Sequence, residues 1–368
     1  MTTVLPRRVP TWRGVATRVD LLRSTGAKHA WRRWRRDRAL DEVAHRRRGD
    51  IARALWTDAA RKLGATVTEV GPARFEIHAG DAVARAAGQV VALNAPEAVE
   101  RAADKPTVYE VLAEAGLPVP EHVVFAARDL RAATAFLERG PIPCVVKPAA
   151  GTGGDGVTGG VRSVSDLRRA ARSASRFAPR LLVERQADGG VFRLLVLDDE
   201  VIDVVHRLRP TIRGDGRSSV EELIFAEYDR RLRREGDPGV KPFAADLDCM
   251  LSLERSGLSL HSILPAGKTV EVKTVTNYNR PEDNETARAI ARELRADAAA
   301  AAKALGLRLA GIDVVTPLPS AGLLAGRGVV IDVNATPALH HHAYVDDAGV
   351  ATDVAVPILR ALLGGPPL

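Results

Sequence analysis

Val145–Gly160 reads VVKPAAGTGGDGVTGG: a lysine near the end of a short apolar run, then six glycines within 13 residues. The run IPCVVKP is short, apolar and bounded by prolines, which predicts a buried strand. Lys147 at its end would project an ammonium into a cleft. Glycine tolerates the dihedral angles that turn successive backbone N–H groups toward one anion. The loop through Gly151, Gly153, Gly154 and Gly156 to Gly160 can therefore wrap phosphate. A P-loop places its lysine after the glycines, whereas here the lysine precedes them. A glycine loop alone is equally consistent with a mobile surface turn, so the rest of the chain decides the reading.

The acids supply the second half. Asp313 lies in GIDVV, and Asp332 and Asn334 lie in VIDVNATP. Residues two apart on a strand share a face, so Asp332 and Asn334 point the same way and an aspartate on a neighbouring strand can join them. Three hard oxygen ligands suit Mg2+, which takes its remaining oxygens from water and polyphosphate.

The remaining pattern predicts mixed helices and strands. DIARALWTDAARKLG reads as a helix from Asp50 stopped by Gly64, with strands TVTEVG and RFEIHAG after it. KPTVYEVLAEAGLPVPEHVVF gives a helix closed by Gly116, a turn and a strand. DLRAATAFLERG is a helix, and RLLVERQ is a strand carrying Glu184. FRLLVLDDEVIDVVHRLRP is a hairpin turning at Asp198–Asp199, and DNETARAIARELRADAAAAAKALG is a long helix ending at Gly306. This order argues for α+β lobes and against a doubly wound sheet.

The chain has 368 residues, 46% hydrophobic and 27% charged, which predicts a globular protein of several domains. No apolar run reaches the length of about 18 residues that a membrane helix needs, and no signal peptide is apparent. Two cysteines, Cys144 and Cys249, form neither a disulfide framework nor a zinc cluster, which points to a reducing cytoplasm. The net charge of +7 is local: residues 1–50 hold 14 Lys/Arg against 5 Asp/Glu, net +9, and the other 318 residues sum to −2. WRRWRRDRALDEVAHRRR, from Trp31 to Arg48, predicts a helix with a solvated arginine face and tryptophans packed on the body. Neither nucleic acid nor membrane is expected as a partner.

A lysine, a glycine loop, a strand with a glutamate and two acidic strands, in that order, resemble the ATP-grasp carboxylate–amine ligases. Within them the chain is most similar to the ATP-grasp domain of cyanophycin synthetases, from about Asp104 to Tyr344. VIDVVHRLRPTIRGDGRSSVEELI is the most specific stretch, and SGLSLHSILPAGKTVEV and GLRLAGIDVVTP also match. The resemblance implies an ATP-grasp fold in four units: a basic helical extension (1–49), a small α/β pre-ATP-grasp domain (50–104), an N-terminal lobe with the glycine loop (105–187) and a catalytic C-terminal lobe (188–368). It implies ATP phosphates on Lys105 and Lys147, and adenine and ribose along Glu184, Arg185, Gln186 and Ala187. Arg193 and Arg207 would stabilise the transferring phosphoryl group. Asp313, Asp332 and Asn334 would hold two Mg2+ ions, with Mn2+ able to substitute. The implied activity is ADP-forming amide synthesis between small amino acid or peptide substrates. A thiol ligase or kinase on the same fold, or a non-catalytic ATP-binding module, are the alternatives, and a homodimer is compatible with the resemblance. The Mur-ligase-like second domain of cyanophycin synthetases has no counterpart before Leu368, so its activity is expected to be absent.

Three departures bear on substrate. The family usually has Glu where this chain has Asp332, one methylene shorter. Ala338 follows NATP where many relatives have Gly. VTNYNRPEDN, Val275–Asn284, replaces a glycine-rich turn, so a substrate other than an aspartate polymer is expected. Lys273, Asn277 and Arg280 are candidates for holding a substrate carboxylate. Of His340, His341 and His342, only the outer two share a face on an extended segment, and two ligands do not make a structural zinc site. They are expected to line the acceptor pocket, with one accepting the amine proton, or to serve structure alone.

Overall fold

The structure, a computed structural model, describes residues 22, 25–140, 143–151, 153–233, 245–276, 283–347, 349 and 351–365. The first described helix is α1 (Ala27–Lys62), 36 residues long. A sheet of β1 (Thr66–Gly71), β2 (Arg74–Ala79), β3 (Ala82–Ala87) and β4 (Val90–Val91) follows, then α2 (Pro96–Ala102) and α3 (Lys105–Glu114). The next unit holds β5 (His122–Ala126), α4 (Arg131–Glu138), β6 (Cys144–Pro148), β7 (Thr158–Val161), α5 (Val164–Ala174) and β8 (Arg180–Arg185). The hairpin β9 (Gly190–Leu197) and β10 (Glu200–Arg207) leads to β11 (Thr211–Arg213), α6 (Val220–Arg233), α7 (Leu247–Arg255) and β12 (Thr269–Glu271). The chain returns through β13 (Asn284–Thr286), α8 (Arg292–Ala304), β14 (Leu309–Thr316), β15 (Val329–Asn334), α9 (His340–Ala343) and α10 (Ala355–Leu362).

The central sheet runs β13-β10-β9-β14-β15, and the glycine-loop lobe is a sheet in the order β5-β8-β6-β7. Strand alternation sorts the central sheet into two faces. Phe192, Leu194 and Val196 of β9, with Ala310, Ile312 and Val314 of β14, pack against Leu294, Ala298 and Ala301 of α8 and Tyr109 and Leu112 of α3. The opposite face is divided along its length. Leu195, Leu197 and Leu309 pack at one end on the N-terminal unit, while Arg193 and Asp313 stand paired at the other, where the cleft opens. The same period of two thus builds a core and presents charge. Asp198 and Asp199 take φ of 46° and 68° at the hairpin turn, as a two-residue turn with both central residues left-handed requires.

Three elements differ from expectation. The helix at Asp50 is the continuation of α1, which passes through Gly49 without a break. Glycine there costs about 1 kcal/mol relative to alanine, too little to stop a helix rich in Ala, Leu and Arg. Trp31 and Trp34 remain exposed, at 56% and 37%, and Trp12 lies outside the described residues. The body is gripped instead by His29, whose Nδ1 lies 2.8 Å from Glu221 Oε1 on α6, and by Arg32, which bonds Glu221 and sits 4.3 Å over the Phe225 ring. The helix expected from Asp283 begins only at Arg292. Asn284–Thr286 form an edge strand on Val205–Arg207 instead, because an open sheet edge outweighs local helix propensity. Ala98 and Ala102 of α2 and Tyr109 and Leu112 of α3 share the core of the central sheet. Among the described residues no helix is long and apolar enough to cross a membrane.

Trp56 anchors the N-terminal unit. Its side chain is fully buried among Ala52, Phe75, Ile77 and Ile358, and its indole N–H donates to the Gly88 carbonyl at 2.8 Å. Trp56→Ala is expected to destabilise this unit by about 3–5 kcal/mol, read as a shift in the urea midpoint that follows the N-terminal sheet.

Candidate active site

A cleft opens between the glycine-loop sheet and the central sheet. From one side Lys147, Glu184, Gln186, Ala187 and the glycine loop line it; from the other, Arg193, Arg207, Asp313, Asp332 and Asn334. Gly153, Gly154 and Gly156 all have φ near 70–75°, the left-handed region that glycine alone enters without strain. A Cβ at Gly156 would also fall 2.6 Å from the Phe177 ring.

Lys147 is 5% exposed and Glu184 4%, and their charges meet at 2.8 Å. The ammonium also donates to Tyr109 Oη at 2.7 Å and to the Ile331 carbonyl at 3.1 Å. All three of its donors are used. Burial, then Glu184, holds the Tyr109 phenol well above its ordinary value, so it stays protonated beside the carboxylate. The Ile331 carbonyl is available because β15 carries a bulge: Asp313 pairs with Asp332 but Val314 with Val330, leaving Ile331 extra. Lys105, at the start of α3, meets Asp332 Oδ1 at 2.6 Å and the Gly151 carbonyl at 3.4 Å.

On the central sheet Arg193 grips Asp313 with two nitrogens, Nη2 to Oδ2 at 2.5 Å and Nε to Oδ1. Burial opposes both charges, yet each outweighs that cost for the other. Asp313 is held below the usual carboxylate range and Arg193 above its own. Arg207 is less well paired. Its nearest carboxylate contact is 3.9 Å from Asp313 Oδ2, and its Nε is buried with no partner among the described residues. Burial and the neighbouring Arg193 push its guanidinium down to about 10. It is still charged at neutral pH, with donor capacity to spare for an anion. Asn334 Nδ2 is likewise buried and unpartnered.

Asp313 and Asp332 are direct cross-strand neighbours, and with Asn334 they line the cleft. Among the described residues no group of three His, Cys, Asp or Glu side chains is placed to hold a metal ion, so the candidate set is two carboxylates and an amide. The donor set is oxygen-only, which fits a hard cation completed by phosphate oxygens; Lys105 and Arg193 hold the two carboxylates.

The other expected residues distribute unevenly. Gln186 lines the cleft, and its Oε1 accepts from Gly160 N at 2.7 Å. The Arg185 side chain turns away to the Phe136 carbonyl at 2.6 Å and lies over that ring. Lys273 is absent from the cleft wall. It is 3% exposed and bonded to Asp246, because Asp246 caps α7 beside it. Thr274, Val275 and Thr276 line the cleft in its place. Asn277 and Arg280 lie outside the described residues. The histidines occupy the helical turn α9 and not an extended segment. The turn sends His341 into the cleft wall, while His340 bonds Gln89 and His342 meets Asp203 Oδ2 at 2.6 Å. Sequence reasoning missed Tyr109 and Arg209. Arg209 lies two residues beyond Arg207 and lines the cleft, and the alternation in HRLRP could have found it. Nothing local marks Tyr109, whose spacing is that of a core helix face.

Residues 111–216 match the family model of the D-ala D-ala ligase C-terminus. The chain is 32% identical over 280 residues to a cyanophycin synthetase of Geminocystis herdmanii, covering 72% of this chain and 30% of that protein. It is 28% identical over 250 residues to the glutathione biosynthesis bifunctional protein of Pasteurella multocida, covering 66% and 33%. The crystal structure of the bifunctional glutathione synthetase from Pasteurella multocida superposes with a TM-score of 0.54 at 23% identity, covering 84% of this chain and 43% of that one. The fold is ATP-grasp, and the chain belongs to the ATP-grasp ligase family. Its relatives include the cyanophycin synthetases, of whose length it spans about 30%. Ligases of this family use ATP and Mg2+.

The buried histidines set a pH dependence. Burial pushes His340 down to about 3, His341 well below its ordinary 6.5, and His342 lower too, although Asp203 partly offsets the last. A base depressed on folding is neutral in both states above pH 6.5, and below it the unfolded chain takes up the proton first. Stability is therefore complete above pH 6.5 and falls as the pH drops from there toward 3, by up to about 1.4 kcal/mol per pH unit per histidine. Urea unfolding between pH 7.5 and 5 should show this slope, and His340→Gln should flatten it.

Proposed function

We propose that the protein is an ADP-forming carboxylate–amine ligase acting on amino acid or short peptide substrates. One observation carries the reading. Lys105 and Lys147, beside a glycine loop, face Arg193, Arg207, Asp313, Asp332 and Asn334 across a single cleft. Cations from both walls suit a polyphosphate, and the oxygen cluster between them suits the magnesium that accompanies it. Adenine and ribose lie along Glu184, Gln186 and Ala187, and the phosphates run under the glycine loop. A phosphate oxygen would replace one of the three acceptors that Lys147 now has. The reading includes two magnesium ions, with Mn2+ able to substitute, and a cytoplasmic location. The reading also includes a homodimer, for which the exposed Trp31 would offer apolar surface.

A free carboxylate is a poor electrophile because of its full negative charge. In the first step a substrate carboxylate oxygen attacks the γ-phosphorus, and the bond to the bridging oxygen of ADP breaks. Arg207, whose Nε lacks a partner, and Arg193 beside it offset charge on the transferring group. In the second step an amine attacks the acyl carbon, phosphate leaves with the former carboxylate oxygen, and the amine loses its proton. Asp313, Asp332 and Asn334 would hold magnesium, which would supply neutralisation of phosphate charge when bound. His341 in the wall is neutral at physiological pH, so the amine reaches the acyl carbon without repulsion from that side chain.

Turnover across a panel of amino acids should yield ADP and phosphate, never AMP. One ¹⁸O from a labelled carboxylate should appear in the phosphate, and stoichiometric amide should form only with the amine present. Lys147→Ala should lower nucleotide affinity, measured by calorimetry, at least about tenfold, the cost of one charge-assisted contact. AMP and pyrophosphate, or phosphate without label, would contradict this reading.

A further inference from the structure

Asp248, in the first turn of α7, is fully buried, yet it has no part in the chemistry above. Its carboxylate joins two walls of the cleft. Oδ1 accepts from the amide of Gly159, on β7 where the glycine loop ends, at 2.9 Å, and from Thr274 Oγ1 at 2.6 Å. Oδ2 accepts from the amides of Thr274 at 2.8 Å and Val275 at 3.3 Å. Arg255, at the other end of the same helix, donates to the carbonyls of Gly159 and Gly160, each at 3.2 Å. There is no slack between the parts: a Cβ on Gly159 would fall 2.3 Å from Thr274 Oγ1. α7 itself is shared, because Leu247 and Leu251 belong to the core of the glycine-loop lobe and Cys249 and Leu253 to that of the β11–β12 module.

We infer that Asp248 is a positioning residue that latches the phosphate loop to the Thr274–Thr276 wall, so that ordering either one orders the other. The inference rests on the reading that the cleft takes ATP. A buried carboxylate with four donors is stable only while all four stay in place. The glycine loop cannot close on phosphate while the wall drifts, and the wall cannot move while the loop is held. Thr274–Thr276 line the same cleft, so nucleotide binding that orders the loop would order that wall as well. By linkage, the effect is mutual.

Amide hydrogen exchange on the full chain, with and without Mg2+ and the non-hydrolysable analogue AMP-PNP, tests this. In the parent protein the nucleotide should slow exchange in both 157–161 and 273–276, at least about fivefold. In Asp248→Ala the protection of 157–161 should persist and that of 273–276 should be lost. Thr274→Val, which removes a single hydroxyl and covers the case of a misfolded Asp248→Ala, should show the same split. Thr274→Ser should restore joint protection, which a merely structural role for the methyl-bearing side chain would not predict. Protection of 157–161 without 273–276 in the parent, or joint protection surviving in both Asp248→Ala and Thr274→Val, would overturn the latch and leave the nucleotide reading intact. Protection of neither segment in the parent would overturn both.

Discussion

The buried ion pair of Lys147 and Glu184 holds the cleft in shape. Both charges sit on the glycine-loop sheet, but their remaining partners do not: Tyr109 comes from α3 and the Ile331 carbonyl from the bulge in β15. Removing two such charges from water costs several kcal/mol per ion, and only complete hydrogen bonding offsets it. Here the ammonium has three acceptors, and the carboxylate has the phenol and the ammonium. The network is satisfied only when α3, the small sheet and the central sheet stand in one arrangement. The electrostatics of the site and the relative placement of its walls are the same fact.

The central sheet shows how little sequence separates core from chemistry. On β9 the residues flanking Arg193 are fully apolar, and on β14 so are those flanking Asp313. Side chains alternate, so one strand fills the interior with Leu194 and Ile312 while it offers Arg193 and Asp313 to the cleft. The bidentate contact between them fixes both rotamers, and Arg207, one strand over, is left with unspent donors. A site meant for an anion is best served by a cation whose neighbours have not already neutralised it.

The N-terminal unit bears on the same cleft from behind. Asn94 donates to the carbonyls of Leu309 and Ala335 and accepts from the amides of Arg308 and Leu309, and Gln89 accepts from His340 N at 2.9 Å. Together they pin both ends of the segment that carries Thr336 and Ala338 and leads into His341. The long helix α1 then spans from this unit to α6 through His29 and Arg32, so part of the basic charge near the N-terminus is committed to packing.

Motif order in the sequence was enough to indicate the fold and many of the residues that line the cleft. Lys147 before the glycines, Glu184 on a later strand, and Asp313, Asp332 and Asn334 on two final strands all read correctly as positions, because strand alternation and glycine dihedrals are local properties. The hairpin at Asp198–Asp199 was legible for the same reason. What local pattern could not supply was who pairs with whom. Lys273 looked available because Asp246, 27 residues away, is invisible as a partner until the chain folds. The histidines looked extended because nothing nearby marks a single helical turn. Asn284–Thr286 looked helical because the open edge of β10 is a non-local template. Tyr109, the Ile331 bulge and Asp248 carry no signal at all, since each acts through contacts 26 to 222 residues distant. Sequence determined which chemical groups this protein brings and on which faces of which strands. Tertiary structure alone decided which charges are already spent on one another and which remain for a ligand, because that depends on long-range neighbours and on the exclusion of water.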